Sequence, residues 1–267
     1  MPSANFIELK NAPVIFFICY NCIMLKFLPR YILRSVILIL GFIFSLSLSS
    51  HAFAGGSIVG TVKYEGPVPH SKMVHMDADP VCYTINKGNV HSQAIVLGDN
   101  NTLGNVFVYI KSDLTKNDFP APTQVAVINQ AGCNYSPHVI GVMAGQKVKF
   151  LNPDGTMHNV HAMCQINPEF NASMPDFRKE LQITFNKPEF MFPIRCDVHP
   201  WMQAWMAVMS HPFFAVTSPD GKFEIKNVPA GTYEIEAWHE KLKSKTATVT
   251  VSDGSVLKID FTFSQPK

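Results

Sequence analysis

Short runs of alternating apolar and polar residues, each closed by a turn-forming cluster, constrain this chain more than any other feature. They occupy residues 58–64, 105–111, 124–129, 146–152, 180–185, 190–195, 203–209, 222–227, 233–238, 246–251 and 256–263. A period of two sends successive side chains to opposite faces, so each run reads as a strand with one buried face. Asn152-Pro153-Asp154-Gly155, Pro219-Asp220-Gly221, Pro229-Ala230-Gly231 and Ser252-Asp253-Gly254 supply turns between runs. No long stretch keeps helical periodicity, and residues 163–179 read as an irregular polar loop with at most one helical turn. The expected fold class is all-β, built of packed sandwiches.

Composition excludes two classes. The 267 residues are 47% hydrophobic and 16% charged, with a net charge of +2. Such a chain is too apolar for disorder and too weakly charged for non-specific nucleic-acid binding. The apolar excess is concentrated in residues 1–54. Residues 35–48 are nearly all apolar, with Lys26, Arg30 and Arg34 before them and Ala52-Phe53-Ala54 after. That is the pattern of a secretory signal peptide cut after Ala54, with Met24 as an alternative start. An uncleaved anchor is the competing reading, but the run is short for a span. Residues 1–54 carry 4 of the 22 basic and 1 of the 20 acidic side chains, so the remaining 213 residues have a net charge of −1. No basic stripe remains for a nucleic-acid partner. The expected location is the periplasm or the exterior, with no stable membrane span after cleavage. Disulfides persist there, and Cys82, Cys133, Cys164 and Cys196 stay in the mature chain.

The chemistry lies in the middle of the chain. Cys196-Asp-Val-His199-Pro-Trp-Met202 places a thiol, an imidazole and a thioether within seven residues, and His158-Asn-Val-His161 lies upstream. Two His nitrogens and one Cys sulfur in a plane, with a Met at longer axial distance, suit copper that cycles between two oxidation states. Composition alone gives Cys-x2-His-x2-Met a chance occurrence on the order of 1%. Cys196 ends one predicted strand and Met202 precedes the next, so a strand-loop-strand unit brings three donors to one end of a sandwich.

Other candidates read differently. His161, three residues beyond His158, points to the opposite strand face as a surface or core residue. Cys164 reads as a free thiol. Elimination leaves Cys82 and Cys133 as the available disulfide pair, with bonded and free states both open. Pro200 and Trp201 form a candidate docking or electron-exit surface, with packing against the loop as the alternative for Trp201 and Trp205. His211 and Trp238-His239-Glu240 read as a polar rim between sandwiches rather than a second metal site. Met157, Met163, Met174, Met191, Met206 and Met209 crowd the region as core filling or as a Cu(I)-binding patch.

Residues 121–211 resemble a cupredoxin, a type 1 blue-copper domain with a Greek-key β-sandwich. The short ligand loop and Thr156-Met-His-Asn-Val-His161 are similar to the amicyanin branch. The resemblance implies one type 1 copper per chain, with His158, Cys196 and His199 equatorial and Met202 axial. It implies that Asn159 pins the Cys-bearing loop, and that His199 is the ligand nearest solvent, passing electrons by way of Pro200 and Trp201. It further implies a single-electron carrier serving redox partner proteins rather than an enzyme. Residues 216–225 and 228–237 resemble the later strands of a carboxypeptidase regulatory-like domain, a smaller transthyretin-type sandwich. That family's first strand is similar to Ser57-Ile-Val-Gly-Thr-Val62 and its second to residues 105–110. The expected domains are therefore a signal peptide over 1–54, a discontinuous regulatory-like sandwich over 55–120 plus 212–267, and a copper domain over 121–211. The combination is similar to secreted bacterial proteins labelled methylamine-utilisation or cupredoxin-like. Two other function classes stay open: a copper-binding or delivery module, and a partner- or carbohydrate-binding adaptor with a subsidiary copper.

Overall fold

A computed structural model describes residues 55–70, 72–87, 90–114 and 118–265. The expected signal peptide lies outside the described residues. Among those described, no helix is long and apolar enough to cross a membrane.

Two β-sandwiches make up the described chain. In the first, β1 (Gly56–Tyr64) pairs antiparallel with β14 (Lys222–Val228), and parallel with β17 (Val256–Lys258) and β18 (Phe261–Phe263). The facing sheet has the order β13 (Phe214–Val216), β4 (Phe107–Ile110), β15 (Gly231–His239), β16 (Lys243–Val251). Ile58, Val62, Val108, Ile110, Phe223, Ile225 and Ile235 fill the space between these sheets. The N-terminal strand thus completes a sheet made otherwise from the last fifty residues.

The second sandwich packs the sheet β10 (Glu180–Thr184), β7 (Lys147–Leu151), β5 (Ala126–Asn129) against a five-stranded one. The latter runs β6 (Val139–Met143), β12 (Gln203–Met209), β11 (Glu189–Arg195), β8 (His158–Ala162), β9 (Phe170–Met174). Its core holds Ile128, Val148 and Phe150 from one sheet and Val160, Ile194, Ala204 and Met206 from the other.

A third apolar cluster joins the sandwiches. β4 is buried on both faces: Val108 and Ile110 face the first core, while Phe107 and Tyr109 meet Val139, Ala207 and Met209. An unbroken apolar run is what a strand buried on both sides requires. Phe107 stacks on Phe214 with ring centroids 5.5 Å apart, and Trp205 meets Trp238 edge-on at 5.5 Å.

The structure departs from the sequence reading in several places. β9 lies in the stretch expected to be a loop; it is a largely exposed edge strand, so its sequence carries little apolar alternation. β6 was not expected, because Val139-Ile-Gly-Val-Met143 does not alternate and carries a glycine at its centre. The glycine is needed there, since a Cβ on Gly141 would lie 2.5 Å from the Phe214 ring. The helix α1 (Pro80–Asn86) also went unread, although Asp79 before Pro80 is a helix-start signal. Finally, part of the segment assigned to the regulatory-like sandwich belongs elsewhere. Met76 and Cys82 are buried in the core of the second sandwich, with Val74 and Val90 packed on it, so this excursion covers the end that carries His199.

Gly141→Ala forces the aromatic rings at the junction to shift. The expected cost is about 1–3 kcal/mol, seen as a lower midpoint of thermal or urea unfolding. An unchanged midpoint would mean that the rings do not close over that position.

Candidate metal centre

The end of the second sandwich collects the predicted ligands. His158 opens β8, Cys196 directly follows β11, and Met202 directly precedes β12. The loop between is closed on itself: Cys196 N–H donates to the Met202 carbonyl at 3.2 Å, and Met202 N–H to the His199 carbonyl at 2.9 Å. Nδ1 of His158 lies 3.0 Å from Nδ1 of His199, which lies 3.7 Å from Cys196 Sγ. One donor atom from each of the three residues falls within 4.8 Å of the others. All are buried, and Met202 is wholly so within the same core cluster.

Each imidazole is held from its far side by a carboxylate. His158 Nε2 donates to Asp154 Oδ2 at 3.0 Å, and His199 Nε2 donates to Asp79 Oδ2 at 3.1 Å. These bonds place a proton on Nε2 and leave the Nδ1 lone pairs turned toward each other and toward the thiol. Two lone pairs 3 Å apart repel unless a proton or a cation stands between them. Nitrogens bonded at about 2 Å to one ion sit about 3 Å apart, so the spacing fits a metal ion. The set of two nitrogens and one sulfur suits copper better than a hard cation.

Charge and hydrogen bonding favour the thiolate at Cys196 and a proton on each imidazole, a proton that a bound metal would displace. Burial pushes the Cys196 thiol up, but bonds from His158, from His199 and from the Asn159 backbone outweigh it and bring it to about 6. A thiol lowered in this way is readily available as a thiolate. Burial disfavours charge on both imidazoles, yet Asp154 and Cys196 raise His158, and Cys196 and Asp79 raise His199. Asp79 drops to about 2 despite burial, through the Cys82 N–H, His199, Thr156 and the Val81 N–H.

Outer contacts fix the loop. Asn159 Oδ1 accepts from the Asp197 N–H at 2.5 Å, and its amide donates to Asn171 and Asp197. The Tyr135 hydroxyl bonds the Asn159 carbonyl at 2.6 Å and the Arg195 carbonyl at 3.1 Å, bracing both ligand strands. Asp154 also accepts from the Gly132 and Cys133 N–H groups at 3.0 and 2.8 Å.

Other candidates fall elsewhere. Cys82 and Cys133 form a disulfide, with Cα atoms 5.6 Å apart, and Cys82 Sγ lies 3.7 Å from His199 Nε2. His161 points away from the ligands and bonds Glu169 and Asp197, while Cys164 is a free thiol. His138 pairs with Glu240 at 2.5 Å, beside a cavity of about 290 Å³ that Trp201 and Pro200 also line. His211 and His239 are buried, and among the described residues neither belongs to a cluster of His, Cys, Asp and Glu that could hold a metal ion. Met174 and Met206 are core residues, whereas Met157 is exposed, so the methionines do not form one patch.

The exit surface needs correction. Pro200 is exposed and Trp201 half-buried, with Trp201 Nε1 donating to the Cys133 carbonyl at 3.1 Å. His199 is only 2% exposed, because Asp79 and the disulfide cover the ring edge expected to face solvent. Sequence reasoning missed Asp79 and Asp154 as partners of the ligands. Asp154 was legible only as a turn residue, and nothing local could join Asp79 to a histidine 120 residues away.

Residues 209–264 match the family model of the carboxypeptidase regulatory-like domain. No curated protein matches the chain. Among solved structures, the chain is similar to a copper-containing nitrite reductase from Thermus scotoductus SA-01, with 22% identity over 32% of this chain and a TM-score of 0.30. It spans only 22% of that reductase. It is also similar to a Cu(I) form of an amicyanin mutant, at 20% identity over 38% of this chain and 98% of amicyanin, TM-score 0.29. A purple cupredoxin from Nitrosopumilus maritimus is similar at 22% identity over 32% of this chain and 99% of its own, TM-score 0.27.

Acid should test the Asp154–His158 bond in the metal-free protein. Asp154 is held below its usual range by His158 and the Cys133 and Gly132 N–H groups, against the effect of burial. Its contribution to stability is therefore complete above the unfolded value of about 3.9 and is lost as pH falls through the lower folded value. Asp154→Asn should unfold at lower urea than wild type at pH 6, with the gap narrowing near pH 3. A gap that stays constant with pH would contradict this.

Proposed function

We propose that the protein is an exported type 1 copper protein that carries single electrons between redox partner proteins. One observation carries the reading: two Nδ1 atoms and a thiol sulfur converge in a buried site while both Nε2 atoms are tied to carboxylates. His158, Cys196 and His199 would hold the copper, with Met202 the fourth ligand. When bound, copper supplies one-electron exchange between Cu(I) and Cu(II).

The chain's own residues supply the rest. Asp154 and Asp79 fix the ring orientations, so the ligands need not rearrange between oxidation states. Asn159 and Tyr135 brace the two strands that present them. Burial of every ligand keeps water and small substrates out, which favours electron transfer over chemistry at the metal. The Cys82–Cys133 disulfide is consistent with export to an oxidising compartment such as the periplasm. The regulatory-like sandwich would then serve as a rigid support fused to the copper domain through β4.

Addition of Cu(II) to the protein lacking residues 1–54 tests this. An intense thiolate-to-copper absorption band is expected, bleached by ascorbate and restored by oxidant, and insensitive to azide. Cys196→Ser should abolish the band. Colourless Cu(I) binding without the band would point to copper delivery. A spectrum that survives Cys196→Ser would overturn the site.

A further inference from the structure

We propose that Asp79 is a positioning residue for His199, holding the ring from a disulfide-tethered cap and favouring the oxidised ion by its negative charge. The inference rests on the copper reading above and deepens it.

A single carboxylate serves two structures here. Oδ1 accepts from the Val81 and Cys82 N–H groups at 2.8 and 3.0 Å and so caps α1. Oδ2 accepts from His199 Nε2 at 3.1 Å and from the Thr156 hydroxyl at 2.9 Å. The position of Oδ2 is thus set by three anchors. These are the start of α1, the turn before His158, and the disulfide that binds Cys82 to Cys133.

An imidazole that donates Nε2–H to a fixed carboxylate is held in one tautomer and one orientation, and its Nδ1 becomes a stronger donor. The carboxylate's charge also acts through a site from which water is largely excluded. Coulomb attraction there is stronger than in water and scales with the charge of the ion, so a dipositive ion gains more than a monopositive one. Asp154 stands in the same relation to His158, so both imidazoles carry this bias. Asp79 differs in its source: it comes from an excursion about 120 residues before the histidine it holds.

Capping and positioning can be separated, because asparagine and serine cap helices about as well as aspartate. Asp79→Asn keeps the cap and removes the charge. Asp79→Ser keeps the cap and withdraws the contact with the ring. Both variants should fold and retain the disulfide, with a urea midpoint below wild type because the bonds to His199 and Thr156 are weakened or lost.

The test is titration of wild type and variants with Cu(II) and Cu(I) against competing chelators, with the reduction potential measured beside it. Loss of an outer partner of this kind typically weakens metal binding 10–100-fold. The loss should fall mainly on Cu(II), raising the potential by about 59 mV for each tenfold difference between the two ions. In metal-free wild type, the His199 Nε2 proton should be visible by NMR and slow to exchange, and this signal should be lost in Asp79→Ser. Thr156→Val, which leaves the charge in place, should keep a potential near wild type. Variants with wild-type affinity and potential would overturn the positioning role while leaving the copper site intact. A wild-type protein that gives no thiolate-to-copper band would instead overturn the copper reading, and this inference with it.

Discussion

One carboxylate, Asp154, ties together the parts of the second sandwich that must meet for the site to exist. Its Oδ1 accepts the Gly132 N–H, and its Oδ2 accepts both the Cys133 N–H and the His158 ring. Through Cys133 it reaches the disulfide, and through the disulfide α1 and Asp79. The buried charge is tolerated because two backbone N–H groups and an imidazole are aimed at it. Tyr135 and Asp79 add further ties, from the loop before β6 to β8 and from the cap to the turn before His158.

The second constraint is the two-sided burial of β4. A strand packed on both faces cannot shift its register without disturbing two cores. Here it couples the first sandwich to the strands β6 and β12, and β12 begins beside Met202. The rigidity of the ligand loop is therefore drawn from both sandwiches and from its own internal hydrogen bonds.

Much of this was legible in the sequence, and the limits have physical reasons. Strands with one face to solvent, such as β14 and β15, declare themselves by alternation. β6 does not, because aromatic rings press on its glycine, and β9 does not, because its exposed edge has little apolar surface to show. The candidate ligands were legible because Cys196, His199 and Met202 are neighbours in sequence and their types suit copper. The residues that orient them were not. Asp79 acts through a contact that only the folded chain creates, and its helix-start signal says nothing of the ring it also holds. The covered edge of His199 has the same origin. A family resemblance locates ligands, but an excursion from another part of the chain decides what shields them.

The cap has a consequence for how the protein matures. Three cysteine sulfurs lie around the two imidazoles: Cys196 near both, Cys82 near His199 and Cys133 near His158. Of the three ways to join two of these thiols, only Cys82 with Cys133 leaves Cys196 free to bind metal. The other two pairings would consume the ligand and leave a stray thiol beside the histidines. Assembly is thus a sorting problem, and the αL turn that carries Cys133 and the short helix that carries Cys82 bias its outcome by presenting those two sulfurs to each other. A metal ion that arrived early would protect Cys196 by occupying it.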